Sequence, residues 1–165
     1  MTSTWAVMVD DVSALRDMEV IEARVGAKAK FAKAMGRRVA TLAFSRLGYS
    51  IHFIHVSLLP KELRRAGASL VADAVHFYPD GRDGYQGFAE PFPEGLVFGD
   101  LRATVEHRLG SAVARGGGDF NKILGAAVPH WAVFRLGICA LHMEFDDEAR
   151  LSFVTLMHAG TRPGG

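Results

Sequence analysis

The apolar and polar positions are patterned most clearly between Trp131 and His158. Cys139, Leu141, Met143 and Phe145 alternate with His142 and Glu144, the period of two of a half-buried strand. The acidic turn Asp146-Asp147-Glu148 follows, and a return arm carries Leu151, Phe153 and Met157 on one side and Val154 and Leu156 on the other. A strand apolar on both faces belongs inside a sheet, so this stretch predicts a hairpin whose second arm is an interior strand.

Upstream, the runs RVATLAF and GYSIHFIHV, joined by the turn-like SRLG, predict two further strands, and SLVADAVHFY predicts a third. The segment LLPKELRRAG reads as a loop or a short helical turn, and PDGRDGYQG as a turn. Residues 5–9, WAVMV, read as a short strand or a tether. Asp10 or Asp11 is then placed to cap a helix with Val12, Leu15, Met18, Ile21 and Val25 at helical spacing. A second helical piece is expected over AKAKFAKAM, where Phe31 and Met35 stand four apart before Gly36. Lys28, Lys30, Lys33, Arg37 and Arg38 would form its solvated face, or else a patch for an acidic partner. EPFPEG holds two prolines, so it is no central strand and marks a boundary between residues 1–90 and 91–165. Beyond it, Asp100 is positioned to cap a helix with Leu101, Val105 and Leu109 on one stripe and Gly110 at its end. The glycine triplet Gly116 to Gly118 lacks the Gly-Lys-Ser/Thr of a phosphate loop and reads as a mobile connector. The tail GTRPGG reads as disordered.

A short internal echo bears on architecture. FSRLGYSIHF at 44–53 matches VFRLGICALHMEF at 133–145 in its Arg-Leu-Gly step and following histidine. The expected fold is therefore α+β: an antiparallel sheet of about six strands, either one curved sheet or two linked helix-plus-meander units sharing a core, with the helices on one side.

At 165 residues the chain fits one ordinary domain, and 49% hydrophobic with 22% charged residues is a globular composition. A net charge of +1 with scattered basic residues argues against a nucleic-acid surface. The single cysteine allows no internal disulfide, no apolar run approaches the ~20 residues of a membrane span, and no signal-peptide pattern opens the chain. A cytoplasmic protein without membrane contact is expected.

Candidate chemistry is sparse. His52 and His55 stand three apart, on opposite faces of a strand, and make a poor joint metal site. His142 and Glu144 share a face, with His52 nearby if the echoed strands lie in one sheet; that is short of the three or four ligands of a zinc site. Neither a metal nor another cofactor is expected. A small metal-dependent or hydrolytic enzyme using His52, His142 and Glu144 is the enzymatic alternative, and a structural subunit of a larger assembly is a third reading. Cys139 lies on the Leu141 and Met143 side and reads as a small buried hydrophobe. No Gly-x-Ser-x-Gly, HExxH, Walker or dinucleotide fingerprint is present.

Over residues 67–158 the chain resembles small bacterial immunity-type proteins of polymorphic toxin systems. The matching positions are Pro93, Gly95 and Leu96; Leu109 and Gly110; Trp131 and Phe134; Leu141, His142 and Phe145; and Val154 to Met157, with Tyr85 in the upstream loop. The proline that usually follows Leu-Gly is replaced by Ser111-Ala112. The helix-then-meander layout is also similar to the outer-membrane assembly lipoprotein fold and to tandem-repeat β-lactamase inhibitors. The resemblance implies a non-catalytic protein that binds and neutralises a cognate toxin through a sheet face and its loops. Here those would be His52, His142 and Glu144, the anchors Trp131 and Tyr85, and a rim of Asp80, Asp83 and Asp146, Asp147 and Glu148.

Overall fold

The computed structural model describes residues 2–67 and 69–161. Three helices, α1 (Thr4–Ser13), α2 (Met18–Val25) and α3 (Arg102–Leu109), accompany an antiparallel sheet of eight strands, two more than the pattern implied. In chain order these are β1 (Lys30–Phe31), β2 (Val39–Phe44), β3 (Tyr49–His55), β4 (Leu70–Phe77), β5 (Ala114–Gly116), β8 (His130–Leu136), β9 (Cys139–Phe145) and β10 (Leu151–His158). A separate ribbon pairs β6 (Phe120–Asn121) with β7 (Ala126–Ala127). The sheet order is β1-β2-β3-β4-β10-β9-β8-β5, so the meander β2-β3-β4 meets the meander β10-β9-β8 along the β4–β10 seam. The two Arg-Leu-Gly steps lie at the β2–β3 and β8–β9 turns, equivalent places in the two meanders. β10, apolar on both faces, is an interior strand.

All three helices contribute to the core on one side of the sheet. Met8, Val12, Ile21 and Val105 pack with Ile51, Phe53, Val75, Phe77, Leu141, Met143, Val154 and Leu156. Several local expectations are overturned. WAVMV is helical: Ser3 accepts from the Ala6 N–H at 3.1 Å, and Trp5, Met8 and Val12 recur at helical spacing toward the core. The contiguous apolar run concealed that period. The helix expected from Asp10 is divided, because Leu15 takes a left-handed φ of 46° and Asp17 starts α2. AKAKFAKAM is not a helix but β1 followed by a 3-10 turn. Ala27, Ala29 and Phe31 turn to the core while Lys28 and Lys30 are exposed, a period of two that outweighs the Phe31–Met35 spacing. The basic cluster therefore lies on no helix face.

Asp100 does not cap α3; its Oδ2 accepts from the Val97 N–H at 2.9 Å, and Leu101 holds the cap position without a side-chain bond. In β10 a bulge at Ser152 puts Leu151 with Val154 and Leu156 in the core, separating it from Phe153. The segment 90–95 forms no strand, yet Phe92 and the following Leu96 are buried against the main core. The terminal residues 162–165 of the expected disordered tail lie outside the described residues.

The expected mobile connector is built structure. β5 pairs with β8, and the glycines let its backbone lie directly on neighbouring groups. A Cβ at Gly116 would stand 2.6 Å from the Trp131 ring, and one at Gly117, whose φ is +85°, would stand 1.9 Å from the Pro129 carbonyl oxygen. Gly117→Ala is therefore expected to cost about 2 kcal/mol, the scale of a strained left-handed residue, and to shift tryptophan fluorescence as the β5–β8 edge moves. Denaturant unfolding followed by that signal checks it; an unchanged midpoint would contradict this packing.

Candidate functional site

With α1, α2 and α3 on one face, most of the polar side chains of the central strands collect on the other, around a small buried cluster of Ala74, Val133, Ala140 and Met157. His52 from β3, Asp73, Ala74 and His76 from β4, Phe153, Thr155 and Met157 from β10, and His142 and Glu144 from β9 line an open depression of about 410 Å³. Two bulges supply part of this set. The β3–β4 register runs from His52↔Ala74 to Phe53↔Ala72, leaving Asp73 as the extra residue. Its carboxylate consequently reaches His52 Nδ1 at 2.7 Å. A carboxylate only accepts, so His52 donates from Nδ1. The bulge at Ser152 does the same for β10, bringing Phe153 onto this face.

Rings connect the site. His76 stacks on Phe153 at 5.7 Å and lies 6.1 Å from His52, and its Nδ1 is 3.0 Å from the Thr155 hydroxyl. Phe153 also meets Tyr78, and Tyr78 stacks on Tyr85 at 3.7 Å. The Arg82 guanidinium lies over Phe153 at 4.2 Å, donates to the Ser152 carbonyl at 3.1 Å and reaches Glu144 at 3.4 Å. On β8 and β9, Trp131 stacks on His142 at 5.4 Å and is backed by Gly116. Beside the depression, sharing Glu144 with it, is a cleft of about 280 Å³ lined by Arg82, Val128, Pro129, Glu144, Asp146 and Asp147, among others.

Of the ten residues singled out in the sequence, Asp80 accepts from the Gly87 N–H, Asp83 stands exposed beside Arg82 and Glu148 pairs with Arg150, while the other seven are distributed as follows. His52, His142 and Glu144 line one depression; Asp146 and Asp147 line the adjoining cleft with Glu144; Tyr85 and Trp131 join through ring stacks. Asp73, His76, Arg82, Phe153 and Thr155 escaped the sequence reading. The available signal was ADAVH, where Asp73 and His76 stand three apart in an apolar strand; only a bulge brings both to one face. His55 parts from His52, as its spacing implied, and lines a groove of about 990 Å³ between α2, β1 and the strand ends. Two carboxylates of that groove are already committed, Glu22 to Lys28 and the Ala29 N–H, and Asp17 to Arg65. Cys139 is buried beside the Ser13 hydroxyl, and burial pushes its thiol up.

Burial, helped by the neighbouring His52 and opposed by Asp73, pushes His76 down to about 4 from 6.5. Between those values the unfolded chain takes up a proton that the folded chain refuses, so stability falls as the pH drops through this window. The full difference is about 3 kcal/mol at 1.36 kcal/mol per unit. His76→Gln is expected to lose less stability than the natural chain between neutral pH and about pH 4.5, read by denaturant midpoints. Equal losses would show that His76 is not held neutral.

Among the described residues, no three His, Cys, Asp or Glu side chains are grouped to hold a metal ion, and no helix is long and apolar enough to cross a membrane. No protein family, curated protein or solved structure matches this chain.

Proposed function

We propose that this chain is a non-catalytic binding protein of the immunity type, acting in the cytoplasm, which neutralises a cognate toxin domain by seating it on the open sheet face. One observation carries the reading: a helix-free sheet face on which half-buried aromatic rings, Tyr78, Tyr85, Phe153 and Trp131, are interleaved with Arg82 and three histidines. Interfaces concentrate binding energy in such aromatic and arginine anchors, ringed by polar groups. The two meanders meeting at the β4–β10 seam suit the duplicated helix-plus-meander layout suggested by the sequence echo. The experiment is co-expression with candidate toxin domains taken from genes neighbouring this chain's own. Survival with the natural chain and death with Phe153→Ala supports the reading; equal death with and without the natural chain sinks it.

A second reading rests on the His52–Asp73 pair, since a carboxylate-oriented imidazole is a general-base arrangement. The two readings separate on His52→Gln. Loss of protection with unchanged affinity for the toxin domain would favour catalysis, and loss of both together would favour binding.

A further inference from the structure

The two edges of the eight-stranded sheet differ in how they meet water. β1, at one edge, is two residues long and stands among the exposed cations Lys28, Lys30, Lys33, Arg37 and Arg38. Short and charged is the form that keeps an edge from pairing with another chain. β5, at the other edge, carries one charge, Arg115, and pairs only with β8. Its hairpin with β8 continues past the sheet. The Gly118 N–H donates to the Val128 carbonyl at 2.8 Å, the Val128 N–H donates to the Asp119 carbonyl at 2.9 Å, and β6 then pairs with β7. At the tip, Asn121 Oδ1 accepts from the Ile123 and Leu124 N–H groups, which closes the turn. The side chains stay in water: Ile123 is 95% exposed, Leu124 72%, Phe120 65% and Val113, at the base of the arm, 63%. Among the described residues, none from Gly118 to Ala127 joins the hydrophobic core. A two-stranded ribbon without such support is marginal in water, and apolar side chains are not what a solvated turn favours.

We propose that the β5 edge and the arm that extends it are the contact surface for a second copy of this chain, the two outer edges running antiparallel about a two-fold axis. An unguarded edge and an apolar arm on one hairpin are self-complementary. A two-fold operation brings each to its own image, so that unpaired main-chain groups find partners while the apolar side chains leave water. The four exposed side chains offer on the order of 500 Å² per copy, or about 1,000 Å² for the pair, the lower bound of a specific interface. Pairing of the strand edges adds to that area. Charge does not oppose the contact: Asp119 stands beside Lys122 in the arm, and Arg115 lies 3.6 Å from Glu106. The pairing uses the edge of the sheet and not its helix-free face, so the proposal stands independently of the toxin-binding reading.

The test is sedimentation equilibrium of the whole chain over a concentration series. The expected result is a monomer–dimer equilibrium with a midpoint on the order of 10 μM, the weak end for so small an interface. Two variants locate the contact. Ile123→Ser combined with Leu124→Ser removes the apolar tip, and Ala114→Lys gives β5 the kind of charge that guards β1. Each should weaken dimerisation by at least about tenfold. Ala114, Ile123 and Leu124 are exposed, so both variants keep the fold, which circular dichroism checks. A natural chain still monomeric at about 1 mM, a dimer unaffected by either variant, or open-ended aggregates in place of a dimer would overturn the proposal. So would a monomer that phosphatidylcholine–phosphatidylserine vesicles carry down through the same tip, since the arm would then meet a lipid surface.

Discussion

Phe77→Ala is expected to destabilise the fold by about 4 kcal/mol, the scale of removing a buried phenylalanine. Phe77 is fully buried at the end of β4, beside the β4–β10 seam. Its ring meets Trp5 of α1 at 5.3 Å, Phe88 at 4.7 Å, Phe92 at 5.6 Å and Tyr49 at 6.3 Å. One side chain thus ties α1, the loop behind β4 and β3 to the sheet. A residual cavity there is lined by rings that are themselves fixed by other contacts, Phe92 by Phe98 and Tyr49 by Phe44, so collapse around it is poor. The measurement is the urea midpoint at unchanged m-value. A loss below about 1.5 kcal/mol would mean that the aromatic cluster repacks freely.

Asp11→Ala is expected to cost about 3 kcal/mol. Asp11 is completely buried in α1, and its carboxylate accepts from Arg16 Nε at 3.0 Å and from both terminal nitrogens of Arg24. Two N–H···O bonds from one guanidinium link α1 to α2 across the left-handed Leu15. The partner arginines are 33% and 39% exposed, so after the substitution they regain water, which keeps the cost at the lower end of buried-pair losses. Arg24→Ala leaves the buried carboxylate with Arg16 and Asp10's neighbouring charge, and should cost at least as much. Denaturant unfolding of both variants checks the pair; losses under about 1 kcal/mol in each would show that the network is a surface decoration.

The sheet was readable where side chains alternate against a single core. β9 follows its apolar pattern and β10 does so from Phe153 onward, and β2, β3 and β4 lie within the expected runs. The N-terminal region was not, because Asp11 places a charge on the buried side of α1, where a sequence pattern expects an apolar residue. Burial of that charge becomes intelligible only once Arg16 and Arg24 are seen around it. The short strands β1 and β5 hide for a different reason: two or three residues carry too little period, and their pairing is decided by neighbours distant in sequence. The candidate site was half legible. His52, His142 and Glu144 follow strict alternation, whereas Asp73 and Phe153 reach the same face through bulges that shift the register by one. Arg82 comes from a turn and reveals its place only through Phe153 and Glu144.

The central claim, that the open sheet face is the binding surface, is tested most directly by the affinity of the purified chain for a toxin domain against which it protects in co-expression. Phe153→Ala removes the ring on which His76 and Arg82 stack, while Val20→Ser alters the exposed side of α2, away from that face. With circular dichroism confirming that both variants fold, Phe153→Ala should bind about 30-fold more weakly, the loss of one hot-spot side chain of about 2 kcal/mol, and Val20→Ser should bind like the natural chain. Unchanged affinity for Phe153→Ala together with weakened binding for Val20→Ser would contradict the account.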